Sequence, residues 1–218
     1  ALRGVPNMSE SAVVNTIMNS YYPAHLEIVD FNGDFELAHI DSNSVMLSGV
    51  TTPSVASLPE TLTSLTVMDF ADAAYSVPDS VEEVTVRNNR ELKALHIPSK
   101  VTSLIIDSCP SLQDLSSITS LRLKKFFYGG SLSTRSLTVP STLTSFVVGK
   151  CNKLVSVCIP PETPLQEASL SSLMCLRSIE LPSTVTSLVL SECMQLSSVT
   201  PTLPCLCSLY VRNCRTLC

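Results

Sequence analysis

Three stretches of the chain are near copies of one another: PSKVTSLIIDSCPSLQDL from Pro98, PSTLTSFVVGKCNKLVSV from Pro140 and PSTVTSLVLSECMQLSSV from Pro182. Their starts are 42 residues apart, with a diverged copy midway between each pair. A unit this short has too few apolar groups to fold alone, so it must share a core with its neighbours along the chain. Aligned on two apolar residues separated by one position, the chain divides into ten units: Leu26/Ile28, Val45/Leu47, Leu65/Val67, Val84/Val86, Leu104/Ile106, Leu121/Leu123, Phe146/Val148, Ala168/Leu170, Leu188/Leu190 and Leu209/Val211. The mean step is about 20 residues.

Three positions past each pair stands Phe31, Val50, Phe70, Asn89, Cys109, Phe126, Cys151, Leu173, Cys193 or Cys214. Leu92, Leu112, Leu154, Leu176, Leu196 and Leu217 come three further on, then Leu95, Leu115, Val157, Ile179 and Val199. Alternation in T-S-L-x-L-x predicts a short strand with Leu188 and Leu190 inward and Ser187, Val189 and Ser191 in solvent. Stacked units then form a parallel sheet. So short a step leaves no room for a full helix, and Pro59, Pro78, Pro98, Pro140, Pro160, Pro182 and Pro201 punctuate the units, so the return legs are predicted to be extended or 3₁₀.

The spacing LxxLxLxxN/CxxL resembles that of the leucine-rich repeat family over about residues 24–218. The Pro-x-Ser/Thr-Leu/Val-Thr-Ser-Leu lead-in is similar to the short repeats of bacterial secreted effectors and of protist parasite surface proteins (BspA-like), while SLIIDSCPSLQDL and SLVLSECMQL also resemble plant immune-receptor repeats. The resemblance implies an α/β-class, mainly β solenoid: a right-handed superhelix with a parallel concave sheet and extended or 3₁₀ convex legs. It also implies protein partners, in a host-pathogen or immune-signalling setting.

At 218 residues, 44% hydrophobic and mean hydropathy +0.30, the chain has the material for a large core, and Leu, Val and Ile fill it in the absence of Trp. Net charge is −5 and pI about 5.2, which argues against nucleic-acid binding through overall charge. No apolar run reaches the ~18 residues of a membrane span. No charged and apolar leader is evident, and Ala1–Asn7 reads as a processing remnant ahead of Met8, which leaves a removed signal open. The nine cysteines are 109, 151, 158, 175, 193, 205, 207, 214 and 218, an odd number that tells against a complete disulfide framework. Four of them, Cys109, Cys151, Cys193 and Cys214, occupy the Asn/Cys column. Buried, reduced thiols are expected there, in a cytoplasmic, reducing setting, with secretion or the cell surface as the alternative.

Residues Ser9–Ser20 carry an apolar stripe, Val13, Val14, Ile17 and Met18, behind capping serines, and read as a helix covering the first repeat. The domain boundaries are thus 1–23 for the N-terminal segment and 24–218 for the repeats. The acidic DFNGDFE loop, Asp30 to Glu36, lacks the bidentate Glu at the twelfth position of a calcium loop, where Asp41 stands, and reads as a solvated turn. Around Leu123 the steps are 17 and 25 residues, so KKFFYGGSLSTRS, Lys124 to Ser136, reads as a bulged loop: either a sticky functional loop or an insertion with Phe126 in the Asn/Cys column. Cys205, Cys207, Cys214 and Cys218 lack paired zinc knuckles and read chiefly as free thiols, with zinc or a disulfide to Cys218 as alternatives. Strand 208–212 is expected to leave an open edge, so that either the chain is longer or two copies form an end-to-end homodimer.

Catalytic spacing is wanting. His25, His39 and His96 form no metal pair, no nucleophile elbow or phosphate loop occurs, and Glu82/Glu83 reads as a solvated pair. Neither a cofactor nor an enzymatic role is assigned. The remaining surface is the solvent face of the sheet. The reading is a non-catalytic module binding a protein there, through Arg87, Ile105, Asp107, Arg122, Lys124, Val147, Val189, Tyr210 and Arg212, together with Phe127 and Tyr128. The alternatives are a recognition domain of a larger ligase, kinase or phosphatase, or a surface adhesion protein.

Overall fold

A computed structural model describes residues 2–3, 24–30, 41–49, 58–112, 114–200 and 202–217. In chain order its strands are β1 (Leu2–Arg3), β2 (His25–Val29), β3 (Ser44–Ser48), β4 (Ser64–Met68), β5 (Ala74–Ser76), β6 (Glu83–Arg87), β7 (Ala94–His96), β8 (Ser103–Asp107), β9 (Lys125–Gly129), β10 (Ser136–Thr138), β11 (Ser145–Gly149), β12 (Ser156–Cys158), β13 (Glu167–Ser171), β14 (Ser178–Glu180), β15 (Ser187–Ser191), β16 (Ser198–Thr200) and β17 (Ser208–Arg212). Among the described residues a 3₁₀ turn, Ser116–Ser120, lies between β8 and β9. The expected helix over Ser9–Ser20, the loop at 31–36 and Cys218 lie outside the described residues.

Eleven strands form one parallel sheet in the order β1-β2-β3-β4-β6-β8-β9-β11-β13-β15-β17. Equivalent residues of successive turns pair, as in Val84 with Leu104 and Leu188 with Leu209. The molecule is therefore a mainly β, parallel-sheet solenoid of short turns. Leu2–Arg3 pairs with Ile28–Val29, so the opening residues expected to be a remnant contribute the first strand.

Burial alternates along nearly every strand of this sheet, which directs the second and fourth residues of the strand into the core. A further core column lies two positions before the strand, and Leu62, Val81, Val101, Leu123, Leu143, Leu165 and Val185 are all buried in it. The return legs carry a second, interrupted ladder: β5 pairs with β7, β10 with β12 and β14 with β16, all parallel. Its inward residues, Tyr75, Leu137, Val157 and Ile179 among them, close the core from the opposite side.

Each turn of the long sheet ends in a corner with left-handed backbone. The corners are Asp30, Gly49, Asp69, Asn88, Ser108, Gly130, Lys150, Ser172, Glu192 and Asn213, with φ from 51° to 67°. Eight of these ten residues have a side chain, in a region that costs non-glycine residues of order 1–3 kcal/mol. The corner N–H offsets part of that cost by extending the ladder one step, as when Asn88 N–H donates to the Asp107 carbonyl at 3.0 Å and Lys150 N–H to Ser171 at 3.0 Å.

The residue after the corner is the Asn/Cys column, and it stitches neighbouring turns. Asn89 Oδ1 accepts the Phe70 N–H at 2.9 Å, and the sulfurs of Cys109, Cys151 and Cys193 take the N–H groups of Asn89, Ser131 and Leu173 in the same way. Each of these thiols also donates to the carbonyl two residues back, at 3.3–3.5 Å. Asn and Cys in this column thus accept an N–H from the preceding turn, while Phe70 and Leu173 fill the same column as buried apolar side chains.

Repeat six differs from its sequence alignment. The strand is Lys125–Gly129, so its inward pair is Phe126/Tyr128 rather than Leu121/Leu123. Leu123 belongs to the preceding core column, Leu121 is also buried, and Ser131 rather than Phe126 takes the Asn/Cys column. The steps from Ile106 to Tyr128 and from Tyr128 to Val148 are then 22 and 20 residues, and the extra length lies in the 3₁₀ leg around buried Ile118. Tyr128 OH bonds Thr134 Oγ1 at 2.6 Å, which bonds Ser131 Oγ at 2.8 Å, a buried triad of mutually bonded hydroxyls. The ring of Phe126 stacks between those of Tyr128 and Phe146, with centroids 6.2 and 6.0 Å away.

Two stability predictions follow from the corners and the core. A Cβ on Gly130 would lie 2.8 Å from the Ser108 backbone at φ +67°, so Gly130→Ala is expected to lower stability by ~1–3 kcal/mol. Lys150→Gly, at an equivalent exposed corner, is expected to be neutral or stabilising by up to ~1 kcal/mol. Urea midpoints at constant m-value check both. Tyr75 is 5% exposed and its OH has no partner among the described residues, so Tyr75→Phe is expected to raise the midpoint.

Candidate binding face

The outward side of the long sheet presents three columns of side chains at the ~4.8 Å interval between strands. Parallel pairing in register brings Thr85, Ile105, Phe127, Val147 and Ser169 side by side in the middle column. Ile105, Phe127 and Val147 occupy three successive strands and are half-buried, a continuous apolar strip. Val189 and Tyr210 continue the column beyond Ser169.

The column on the corner side is bare beside Phe127. A Cβ on Gly129 would sit 2.9 Å from Phe127 Cε1 and 3.0 Å from Asp107 Oδ1, and one on Gly149 would sit 2.5 Å from Ser171 Oγ. The phenyl ring lies over Gly129 because no side chain stands there. Arg87 and Asp107 face each other across β6 and β8 at the end of this shelf. On the opposite margin Lys125 and Glu167 flank Ser145, whose hydroxyl donates to Glu167 Oε2 at 3.1 Å.

Of the residues expected to form the face, the fold gathers Arg87, Ile105, Asp107, Phe127 and Val147 into one patch. Val189, Tyr210 and Arg212 lie toward the far end, Tyr210 being 52% exposed. Three differ. Arg122 and Lys124 are exposed but precede β9, so they are not on the strand, and the outward places given to them belong to Phe127 and Gly129. Tyr128 points into the core at 1% exposure, its hydroxyl spent on Thr134. Lys125, Gly129 and Gly149 were not singled out as site residues; the Gly129-Gly130 pair, set beside Gly149-Lys150 and Asp107-Ser108, was the signal that aligns β9 correctly.

The thiols divide by depth. Cys109, Cys151 and Cys193 are buried, Cys175 and Cys214 intermediate, and Cys158, Cys205 and Cys207 exposed; all are free. Burial pushes the Cys109 and Cys151 thiols up and Cys193 to about 11, against the opposing pull of the N–H groups that bond their sulfurs. Among the described residues no group of three or more His, Cys, Asp or Glu is placed to hold a metal ion, and no helix is long and apolar enough to cross a membrane. Comparison with known proteins found no matching family, no matching curated protein and no matching solved structure.

Two measurements check the thiol assignment. Alkylation of the native protein is expected to modify Cys158, Cys205 and Cys207 first and to leave Cys109, Cys151 and Cys193 unmodified until unfolding. Because the folded state holds the Cys193 proton above the ordinary value of 9.0, the unfolded chain binds fewer protons at high pH. The associated stability is complete below pH 9 and is lost as pH rises toward about 11, and Cys193→Ala is expected to flatten that loss.

Proposed function

We propose that this chain is a non-catalytic protein-binding module of leucine-rich-repeat type, which holds a partner on the concave face of its long sheet. The observation that carries this reading is the strip Ile105–Phe127–Val147, laid on a rigid parallel sheet and bordered by Arg87, Asp107 and Lys125. An aromatic anchor with aliphatic neighbours inside a charged rim is the composition of an interface centre. The strands below it pair on both sides, so the surface is organised before a partner arrives and loses little conformational entropy on binding. The repeat resemblance supports a partner that is itself a protein, in a host-pathogen or immune-signalling setting. The free buried thiols support a reducing compartment.

Immobilised wild-type protein, Phe127→Ala and Ile105→Asp are compared in pull-downs read by mass spectrometry, with urea midpoints confirming that each variant is folded. A specific partner is expected on the wild type and absent from both variants, with purified partner binding Phe127→Ala about 30-fold more weakly, the equivalent of ~2 kcal/mol. Identical partner sets for all three proteins overturn the assignment.

A further inference from the structure

We propose that the cleft between the 3₁₀ turn and β10, on the leg side of the solenoid, binds a neutral polyhydroxylated ligand the size of one sugar ring. It arises where the second ladder breaks. The turn between β7 and β10 runs its leg as 3₁₀ through Ser116–Ser120, so β10 pairs with β12 alone and its other edge borders a cleft of about 210 Å³. Backbone groups in a parallel strand alternate sides. The Arg135 carbonyl and the Val139 N–H are spent on the β12 side, so those of Ser136 and Thr138 point toward the cleft.

The side chains around the cleft are hydroxyls and one carboxylate. Asp114 Oδ1 accepts the Ser116 N–H at 2.9 Å, which together with the Ser116 side chain holds its carboxyl below the usual range and keeps it charged at neutral pH. Thr119 spends its proton on the Ser116 carbonyl at 2.8 Å, which leaves its oxygen as an acceptor. Thr134, 8% exposed, is fixed from behind by Tyr128 and Ser131. The hydroxyls of Ser136 and Thr138 line the cleft with no bonding partner among the described residues.

The chemical class follows from what these groups accept. Among the described residues no lysine or arginine lines the cleft, so an anion finds no counter-charge from them, and a lone carboxylate is too few ligands for a metal ion. A carboxylate takes two adjacent hydroxyl donors, and serine and threonine both donate and accept, which matches a vicinal diol. Half-buried Leu115 supplies an apolar patch for the C–H face of a ring. The volume is below the ~300–1,000 Å³ of drug-sized sites, which limits the ligand to a single ring.

The test is a titration of the ¹⁵N-labelled protein with the methyl glycosides of glucose, galactose and mannose and with N-acetylglucosamine, with glycerol as the control. At least one sugar is expected to give saturable shifts at the amides of 114–119 and 134–138 with a millimolar Kd. Asp114→Asn is expected to weaken that binding at least tenfold, and Ser136→Leu, which fills the cleft, to abolish it, both variants keeping a dispersed spectrum. Absence of shifts there with all four sugars, an equal response to glycerol, or an unchanged titration in both variants overturns the proposal. The strip at Phe127 is on the opposite side, so neither result bears on protein binding there.

Discussion

The structure depends on in-register pairing of each turn with the next. One turn buries little by itself, and its backbone groups have partners only because an equivalent strand lies ~4.8 Å away on each side. Register is enforced by alternation: a slip of one residue would turn Leu104 and Ile106 into water and Ile105 into the core. The left-handed corners serve the same end. They turn the chain inward immediately after the strand while spending the corner N–H on the following turn, so the ladder runs unbroken into the bend.

The Asn/Cys column links this geometry to redox chemistry. Asn89 and the three buried cysteines there accept an N–H from the preceding turn, and each thiol also donates to the last carbonyl of its own strand. Cysteine meets these demands at little desolvation cost, because a neutral thiol bonds weakly to water in the first place. The thiols raised by burial are therefore structural groups, whereas the exposed sulfurs of Cys158, Cys205 and Cys207 stand outside the column and owe nothing to it.

The regular turns were legible because one physical rule, apolar alternation at a fixed step, generates them. Leu188, Leu190, Cys193 and Leu196 lie where that rule puts them. Repeat six escaped it because Leu121-x-Leu123 and Phe126-x-Tyr128 both satisfy the same local pattern five residues apart. Only the corner decides between them, and Gly129-Gly130 permits a corner that Lys124-Lys125 does not signal. Tyr128 misled for a related reason: a phenol marks a surface unless a hydroxyl partner waits inside, and Thr134 and Ser131, in columns normally filled by leucine and cysteine, supply it. The outward patch was half legible, since its apolar members are part of the alternation, while the bare shelf of Gly129 and Gly149 becomes visible only when strands are set side by side.

The same buried hydroxyl cluster has a consequence for assembly of the chain. Near-identical turns create a translational degeneracy: a nascent strand has several almost equally good docking sites, one whole unit up or down the stack, and apolar contacts alone discriminate weakly among them. Tyr128, Ser131 and Thr134 satisfy one another only when their own turn has closed, and in an apolar slot each would be stranded without a bonding partner. This hydroxyl cluster in the core thus acts as an index mark, penalising stacks displaced by a full unit and fixing the count from the middle of the array outward.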